Sequence, residues 1–154
     1  IPGREVFHDL LDLAIQKHYR VFLLGGRGGS AQLLITNHQS LVASYDDGPR
    51  ENEAEILEKI RQARPALLFV AYGAPYQEEW ILNHREALVH AGVKIAMVVG
   101  GAFEYEAGMV PKVPQVIQDF HLEWLHRLIS QPWRWKRQLK GARFFLDVVL
   151  GKYS

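Results

Sequence analysis

Cysteine is absent from the 154 residues, which excludes disulfides and thiolate metal sites and fits a reducing compartment. Long apolar runs are also missing. No stretch approaches the roughly 20 residues that a membrane-spanning helix needs. No secretory signal is visible, because Ile1-Pro2-Gly3 opens straight into a helix-like segment. There is no initiating Met, no internal repeat and no low-complexity tract. Neither sign of charge is in excess: 18 Lys and Arg stand against 17 Asp and Glu, a formal net charge of +1. That balance gives no global reason to expect nucleic acid as a partner. Apolar residues make up 48% of the chain, an ordinary share for a globular protein, and the length suits one domain with a substantial core.

What is present alternates between two periodicities. Glu5 to Lys17 carries Val6, Leu10, Leu13 and Ala14 at helical spacing. Arg20 to Gly26 then reads as a short buried strand that stops at glycines. Ser30 suits the N-cap of a helix from Ala31 to about His38. Leu41 to Tyr45 is a second strand, ended by the turn signal Asp46-Asp47-Gly48-Pro49. Glu51 to Arg64, with Ile56, Leu57 and Ile60, is an amphipathic helix. Ala66 to Ala71 is a third apolar run, followed by the loop Tyr72 to Pro75 and one helix from Gln77 to about His90. Val93 to Val99 is a fourth run, ending at Gly100-Gly101. Strands that are apolar on both faces and alternate with helices predict an α/β fold. Specifically, they predict a Rossmann-like parallel sheet with helices on both faces.

After Pro111 the pattern becomes helical only. Ile117, Phe120, Trp124 and Leu128 form one stripe; Trp135, Leu139, Ala142, Leu146 and Val149 form another. The expected organisation is therefore a nucleotide-binding domain over 1–110 and a C-terminal helical appendage over 111–154. Beyond Ser130, Trp133, Trp135, Phe144, Phe145 and Tyr153 are interleaved with six basic residues and a single acid, Asp147. Such a helix can lie in the headgroup region of an anionic membrane; packing of its apolar stripe on the domain is the competing reading.

In an open parallel sheet, ligands bind beyond the carboxyl ends of the strands. Three glycine-rich loops are expected there: Gly25 to Gly29, Tyr72 to Pro75, and Gly100-Gly101-Ala102. Glycine admits close backbone approach to a phosphate, and a following helix offers free N–H groups and a positive dipole end. Tight turns alone would also explain any one of these loops. Gly26-Arg-Gly-Gly-Ser-Ala31 also spells G-x-G-x-x-A, with Asp46 and Asp47 about 20 residues further on, which keeps an NAD-dependent oxidoreductase as an alternative. Against it, the two acids sit in a turn that needs them. No metal site is expected, since adjacent Asp46 and Asp47 point to opposite faces of an extended segment. His121 and His126 also miss same-face helical spacing.

Several blocks resemble the WecG/TagA/CpsF glycosyltransferases (glycosyltransferase family 26). Gly73-Ala-Pro-Tyr-Gln-Glu-Glu-Trp80 is similar to that family's G-A-P-x-Q-E-x-W, and Val99-Gly-Gly-Ala-Phe-Glu-Tyr-Glu-Ala-Gly108 to its V-G-G-x-F-D-x-x-A-G. Lys112-Val-Pro114 stands at its R-A-P, Leu122 to Leu128 matches L-E-W-L-Y-R-L, and Arg20 to Gly26 resembles its V-F-L-L-G-G strand. The resemblance implies an inverting, metal-independent transfer of an N-acetylmannosamine-type sugar from a UDP-sugar to a polyprenyl-diphosphate-linked N-acetylglucosamine. That activity serves teichoic acid, common antigen or capsule synthesis. It implies no cofactor beyond the donor, and a cytoplasmic location, peripheral on the inner face of the plasma membrane. Family members commonly self-associate, so homo-oligomers are a further expected partner.

On this resemblance, Gly25, Gly26, Gly73, Ala74, Gly100, Gly101, Ala102, Phe103 and Glu104 are the expected nucleotide-binding residues. Gln77, Arg127, Arg134 and Arg137 are the expected catalytic group, the arginines meeting the departing diphosphate. The arginines equally suit membrane contact, and Gln77 equally suits capping of its own helix. Glu104 replaces the family's Asp, Tyr76 replaces a usual lysine, and Gly48-Pro49 departs from G-Y-F. The family's T-P-N-like segment and its aspartate base are expected before Ile1, so the chain reads either as a fragment of a full enzyme or as a short form. A short form would be a non-catalytic nucleotide-binding or assembly module. For the appendage, converting Arg134, Lys136, Arg137 and Lys140 to Glu is expected to lower co-sedimentation with anionic liposomes. Undiminished sedimentation would refute membrane binding through this helix.

Overall fold

The computed structural model describes residues 3–48 and 51–110, all within one compact unit, Ile1–Pro111. The expected appendage over 111–154 lies outside the described residues. In chain order the elements are α1 (Gly3–Lys17), β1 (Val21–Gly25), α2 (Ser30–Asn37), β2 (Ala43–Asp46), α3 (Glu53–Ala63), β3 (Leu67–Ala71), α4 (Tyr76–Asn83), α5 (Arg85–His90), β4 (Ile95–Val98) and α6 (Ala102–Glu106). The four strands form one sheet in the order β2-β1-β3-β4. Every pair is parallel, with Val21 opposite both Ala43 and Leu67, and Leu67 opposite Ile95. This is the expected α/β architecture.

Strand alternation sorts the core into two layers. On one face, Val21 and Leu23 of β1 and Leu67 and Phe69 of β3 meet Phe7, Leu11 and Ala14 of α1, Ala31 and Leu34 of α2, and Phe103 of α6. On the other, Phe22, Leu24, Leu68 and Val70 meet Ile56 and Ile60 of α3, Trp80 of α4 and Leu88 of α5. β1 and β3 are thus covered on both sides, which is why they read as unbroken apolar runs. Phe7 stands edge-on to Phe69 with ring centroids 4.8 Å apart, a geometry worth about 0.5–1.5 kcal/mol beyond burial.

Four local expectations change. First, the buried line of α1 is Phe7, Leu11 and Ala14, while Leu13 is exposed and Val6 and Leu10 lie at its margin. The phenylalanine, packed between β3 and α6, sets the rotation of the helix. Second, Ser30 is the first helical residue, not the cap. Gly29 occupies the cap in a left-handed conformation, and the Ser30 hydroxyl accepts the Arg27 N–H at 3.1 Å. Third, the expected helix from Gln77 to His90 is two helices that meet at His84. There φ is −105°, and ring Nδ1 lies 2.8 Å from the Trp80 carbonyl that the His84 N–H also approaches at 3.1 Å. A side-chain donor competing for an i−4 carbonyl loosens the helical ladder. Fourth, among the described residues β4 is an edge strand with Ile95 and Ala96 exposed, not a strand covered on both faces.

α1, α2 and α6 are joined by a small polar cluster. His8 Nδ1 lies 3.0 Å from Glu106 Oε1, His38 Nε2 lies 3.6 Å from the same oxygen, and Arg4 covers the Tyr105 ring at 4.6 Å. The hydrogen bond to Glu106, followed by its charge and those of Asp12 and Asp9, holds the His8 imidazole above its ordinary pKa. The folded protein therefore binds this proton more tightly than the unfolded chain. Its stabilisation is complete below the unfolded pKa and disappears as pH rises through the folded one. His8 is half-exposed, so the effect is a few tenths of a kcal/mol at most. NMR titration is expected to show His8 titrating above an unstructured histidine, with Glu106→Gln returning it to the ordinary range. An unshifted His8 in the unsubstituted protein would remove the pairing.

Candidate functional site

β1 leads through α2 towards one edge of the sheet, and β3 leads through α4 and α5 towards the other. The chain therefore diverges above the seam between β1 and β3, the topological switch point where open α/β sheets bind ligands. Gly25 lies opposite Ala71 and Val70 opposite Val98, so the loops after β1, β3 and β4 leave the sheet side by side. The expected binding residues Gly25, Gly26, Gly73, Ala74, Gly100, Gly101, Ala102, Phe103 and Glu104 all belong to these three neighbouring segments.

The β1 loop is shaped by close packing. Gly25 and Gly26 have φ of 83° and 101°. A Cβ on Gly25 would stand 2.8 Å from the Tyr72 ring, and one on Gly26 would stand 2.5 Å from Ser30 Oγ and 3.1 Å from the Phe103 ring. These glycines let the loops touch one another. Gly29, by contrast, has open space where a Cβ would be, at the amino end of α2, where helical N–H groups and the dipole favour an anion. Arg27 is exposed in the same turn. It was not among the expected site residues, although its place inside the glycine run is the sequence signal that marks it.

In the β3 loop, Ala74-Pro75 is cis and Gly73 again has open space at its Cβ position. Gln77 is buried. Its Oε1 accepts the Gly73 N–H at 3.2 Å, and its Nε2 donates to Glu78 Oε1 at 3.1 Å. The side chain is thus committed to holding the loop, a positioning geometry. Behind it, Tyr72, Tyr76 and Trp80 succeed one another at i, i+4 spacing, with Tyr72 5.7 Å from Tyr76 and 6.1 Å from Trp80 between ring centroids. The Tyr76 hydroxyl reaches Glu53 Oε1 at 3.3 Å.

The β4 loop divides into two parts. Gly100, with φ of 54°, has open space at its Cβ position, and Gly101 is exposed. Ala102 and Phe103 are buried in the core and support the turn from beneath. Glu104 begins to re-emerge, yet its Oε2 is buried with no hydrogen-bond partner among the described residues. Leaving a buried polar group unmatched costs about 1–3 kcal/mol, and more when it is charged, so this oxygen is primed to accept a donor.

Arg127, Arg134 and Arg137, together with His121 and His126, lie outside the described residues. Asp46 and Asp47 separate as expected, one buried and one exposed. Asp46 Oδ1 accepts the Gly48 N–H at 2.9 Å, while Oδ2 pairs with Lys59 Nζ at 2.7 Å. Both oxygens are in use, so the acid that would grip a dinucleotide ribose is already committed within the protein. A cavity of about 600 Å³ opens at the opposite, amino edge of the sheet, among Arg20, Arg61, Arg64, His90 and Lys94. There the carboxyl ends of α3 and α5 attract cations, and none of the three loops takes part.

Gly26→Ala tests the packing role. Left-handed φ and contact with Ser30 and Phe103 together are expected to cost about 1–3 kcal/mol. Gly29→Ala keeps the backbone strain without the clash and should cost less. Equal losses in chemical denaturation would mean that the contacts contribute nothing.

The family model described as "Glycosyl transferase WecG/TagA/CpsF family" matches residues 1–154. An N-acetylglucosaminyldiphosphoundecaprenol N-acetyl-beta-D-mannosaminyltransferase of Bacillus subtilis (strain 168) is 34% identical over 154 residues, which cover 97% of this chain and 59% of that protein. The enzyme of the same name from Staphylococcus aureus (strain MRSA252) is 31% identical over 153 residues, covering 95% and 58% respectively. The chain therefore spans about three-fifths of the length of these curated relatives. With three glycine-opened loops at a switch point and a family match along its whole length, the chain belongs to the WecG/TagA/CpsF glycosyltransferase family.

Proposed function

We propose that the three-loop edge binds the nucleotide of a UDP-sugar. In the whole protein, an N-acetylmannosamine-type sugar would pass from it to undecaprenyl-diphosphate-linked N-acetylglucosamine, with inversion and without a metal. The relatives' names supply the acceptor and the sugar. The observation that carries the donor reading is the open space at Gly29, Gly73 and Gly100, where an added Cβ would meet no atom within 4 Å, gathered where β1 and β3 diverge.

The chemistry asks for two things. The acceptor hydroxyl must lose its proton as its oxygen attacks the anomeric carbon, and the departing UDP must have its growing negative charge stabilised. On this reading, the α2 amino end and Arg27 meet the diphosphate. Glu104 accepts a donor from the nucleotide, and Gln77 keeps the Gly73 turn open. Arg127, Arg134 and Arg137 would add positive charge. The base, on the resemblance, is the aspartate that the family carries with its T-P-N-like segment. Among the described residues no helix is long and apolar enough to cross a membrane. Peripheral attachment at the cytoplasmic face would bring the site to its lipid-linked acceptor.

Calorimetric titration of the chain with UDP and with NAD tests the donor assignment. UDP is expected to bind and NAD to give no heat. Arg27→Ala should weaken UDP about 10-fold or more, the effect of losing a charge-assisted phosphate contact, with folding unchanged by circular dichroism. Equal affinity for UDP in the variant would remove Arg27 from the site. No UDP binding at all would sink the donor reading.

A further inference from the structure

The two edges of the sheet are chemically unlike. β2 ends one side with Ala43-Ser-Tyr-Asp46 and runs into the acidic turn at Asp47, the kind of short polar strand that natural sheets leave open. β4 ends the other side with Ile95-Ala-Met-Val98. No charge or proline lies between Lys94 and Gly100, and Ile95 is 45% exposed. An unprotected apolar edge invites another strand.

Its hydrogen-bonding groups point the same way. The amides of Ile95 and Val99 donate to Ala66 and Val70 of β3. In a parallel ladder the intervening residues turn the other way, so Ala96 and Val98 direct their N–H and C=O groups to the open edge.

The crossovers specify what would lie there. β1 passes to β2 through α2, on the Phe7–Phe103 face, moving towards the β2 side. β2 passes to β3 through α3, and β3 to β4 through α4 and α5. Both of these use the opposite face and move towards the β4 side. Movement towards β2 thus goes with one face and movement towards β4 with the other, as a single handedness requires. α1 lies on the α2 face and leads into β1. A strand of this sheet that entered α1 would therefore have to start on the β4 side of β1. Among the described residues β3 and β4 fill the two nearest places, so the vacant one is beyond β4. α1 lies along that route, with Phe7 against Phe69 of β3.

We propose that the open edge of β4 seats a fifth parallel strand, contributed by the polypeptide that enters α1, in the order β2-β1-β3-β4-β(entering). The relatives are long enough to hold it, since the matched region covers only 59% of their length. A second copy of the chain, or residues 111–154, would be a different occupant.

Hydrogen–deuterium exchange tests this on the 154-residue chain and on the same chain extended by the residues encoded before Ile1. In the short form, Ala96 and Val98 amides are expected to exchange freely at every protein concentration while Met97 stays protected. In the extended form both should slow by about 100-fold or more. Three results would each overturn the proposal: protection already present in the short chain, protection that grows with its concentration, or no change on extension. Ala96→Pro provides a readout independent of exchange. Proline is tolerated where an edge N–H faces solvent, so it should lower the melting temperature of the extended form several degrees more than that of the short one. An equal drop in both forms would also overturn the assignment.

Discussion

The parallel pairing of β1 with β3 is the constraint on which the site depends. The strand that follows β1 in sequence lies on its far side, so β3 occupies the central place and the connections on either side of the seam run apart. A gap at the carboxyl end is the geometric result, before any particular side chain is considered. The interior of the sheet holds the seam in place: Phe22, Leu24, Leu68 and Val70 on one face, and Leu23 and Phe69 on the other, are all essentially inaccessible to water. Slipping the register by one residue would exchange these two sets between faces, so the alignment of Gly25 with Ala71 is set by burial along the whole strand.

Most of this architecture was legible in the residues because β1 and β3 are buried on both sides and carry unmistakable apolar runs. The misjudged parts were those governed by contacts distant in sequence. Nothing near Leu13 indicates that Phe7 will dominate the packing of α1; that depends on Phe69 and Phe103. The break at His84 arises from one ring nitrogen competing for the Trp80 carbonyl, a detail below the resolution of helical periodicity. Exposure of β4 was hidden for a related reason. An apolar run looks the same in the middle of a sheet and at its edge.

The site was legible in position more than in role. All nine expected binding residues fall in the three adjoining segments, because glycine clusters at strand ends report sharp turns reliably. Their functions divide in a way that motif matching does not reveal. Gly25, Gly26, Ala102 and Phe103 act in packing, while Gly29, Gly73 and Gly100 have open space where a side chain would stand. Gln77 is drawn into the Gly73 turn. Arg27 carries no motif of its own and is marked only by its place inside the glycine run.

The contacts at Gly25 and Gly26 have a consequence for how the three segments behave as a body. Tyr72 from the second loop rests against the first, and Phe103 from the third does the same from the other side. Shifting one loop therefore requires shifting the aromatic ring that wedges it against its neighbour. Segments locked in this way are ordered before any ligand arrives, so less entropy remains to be lost on association. The same interlocking sends a disturbance at one turn to the other two, which makes small changes in these aromatic rings felt well beyond the positions they occupy.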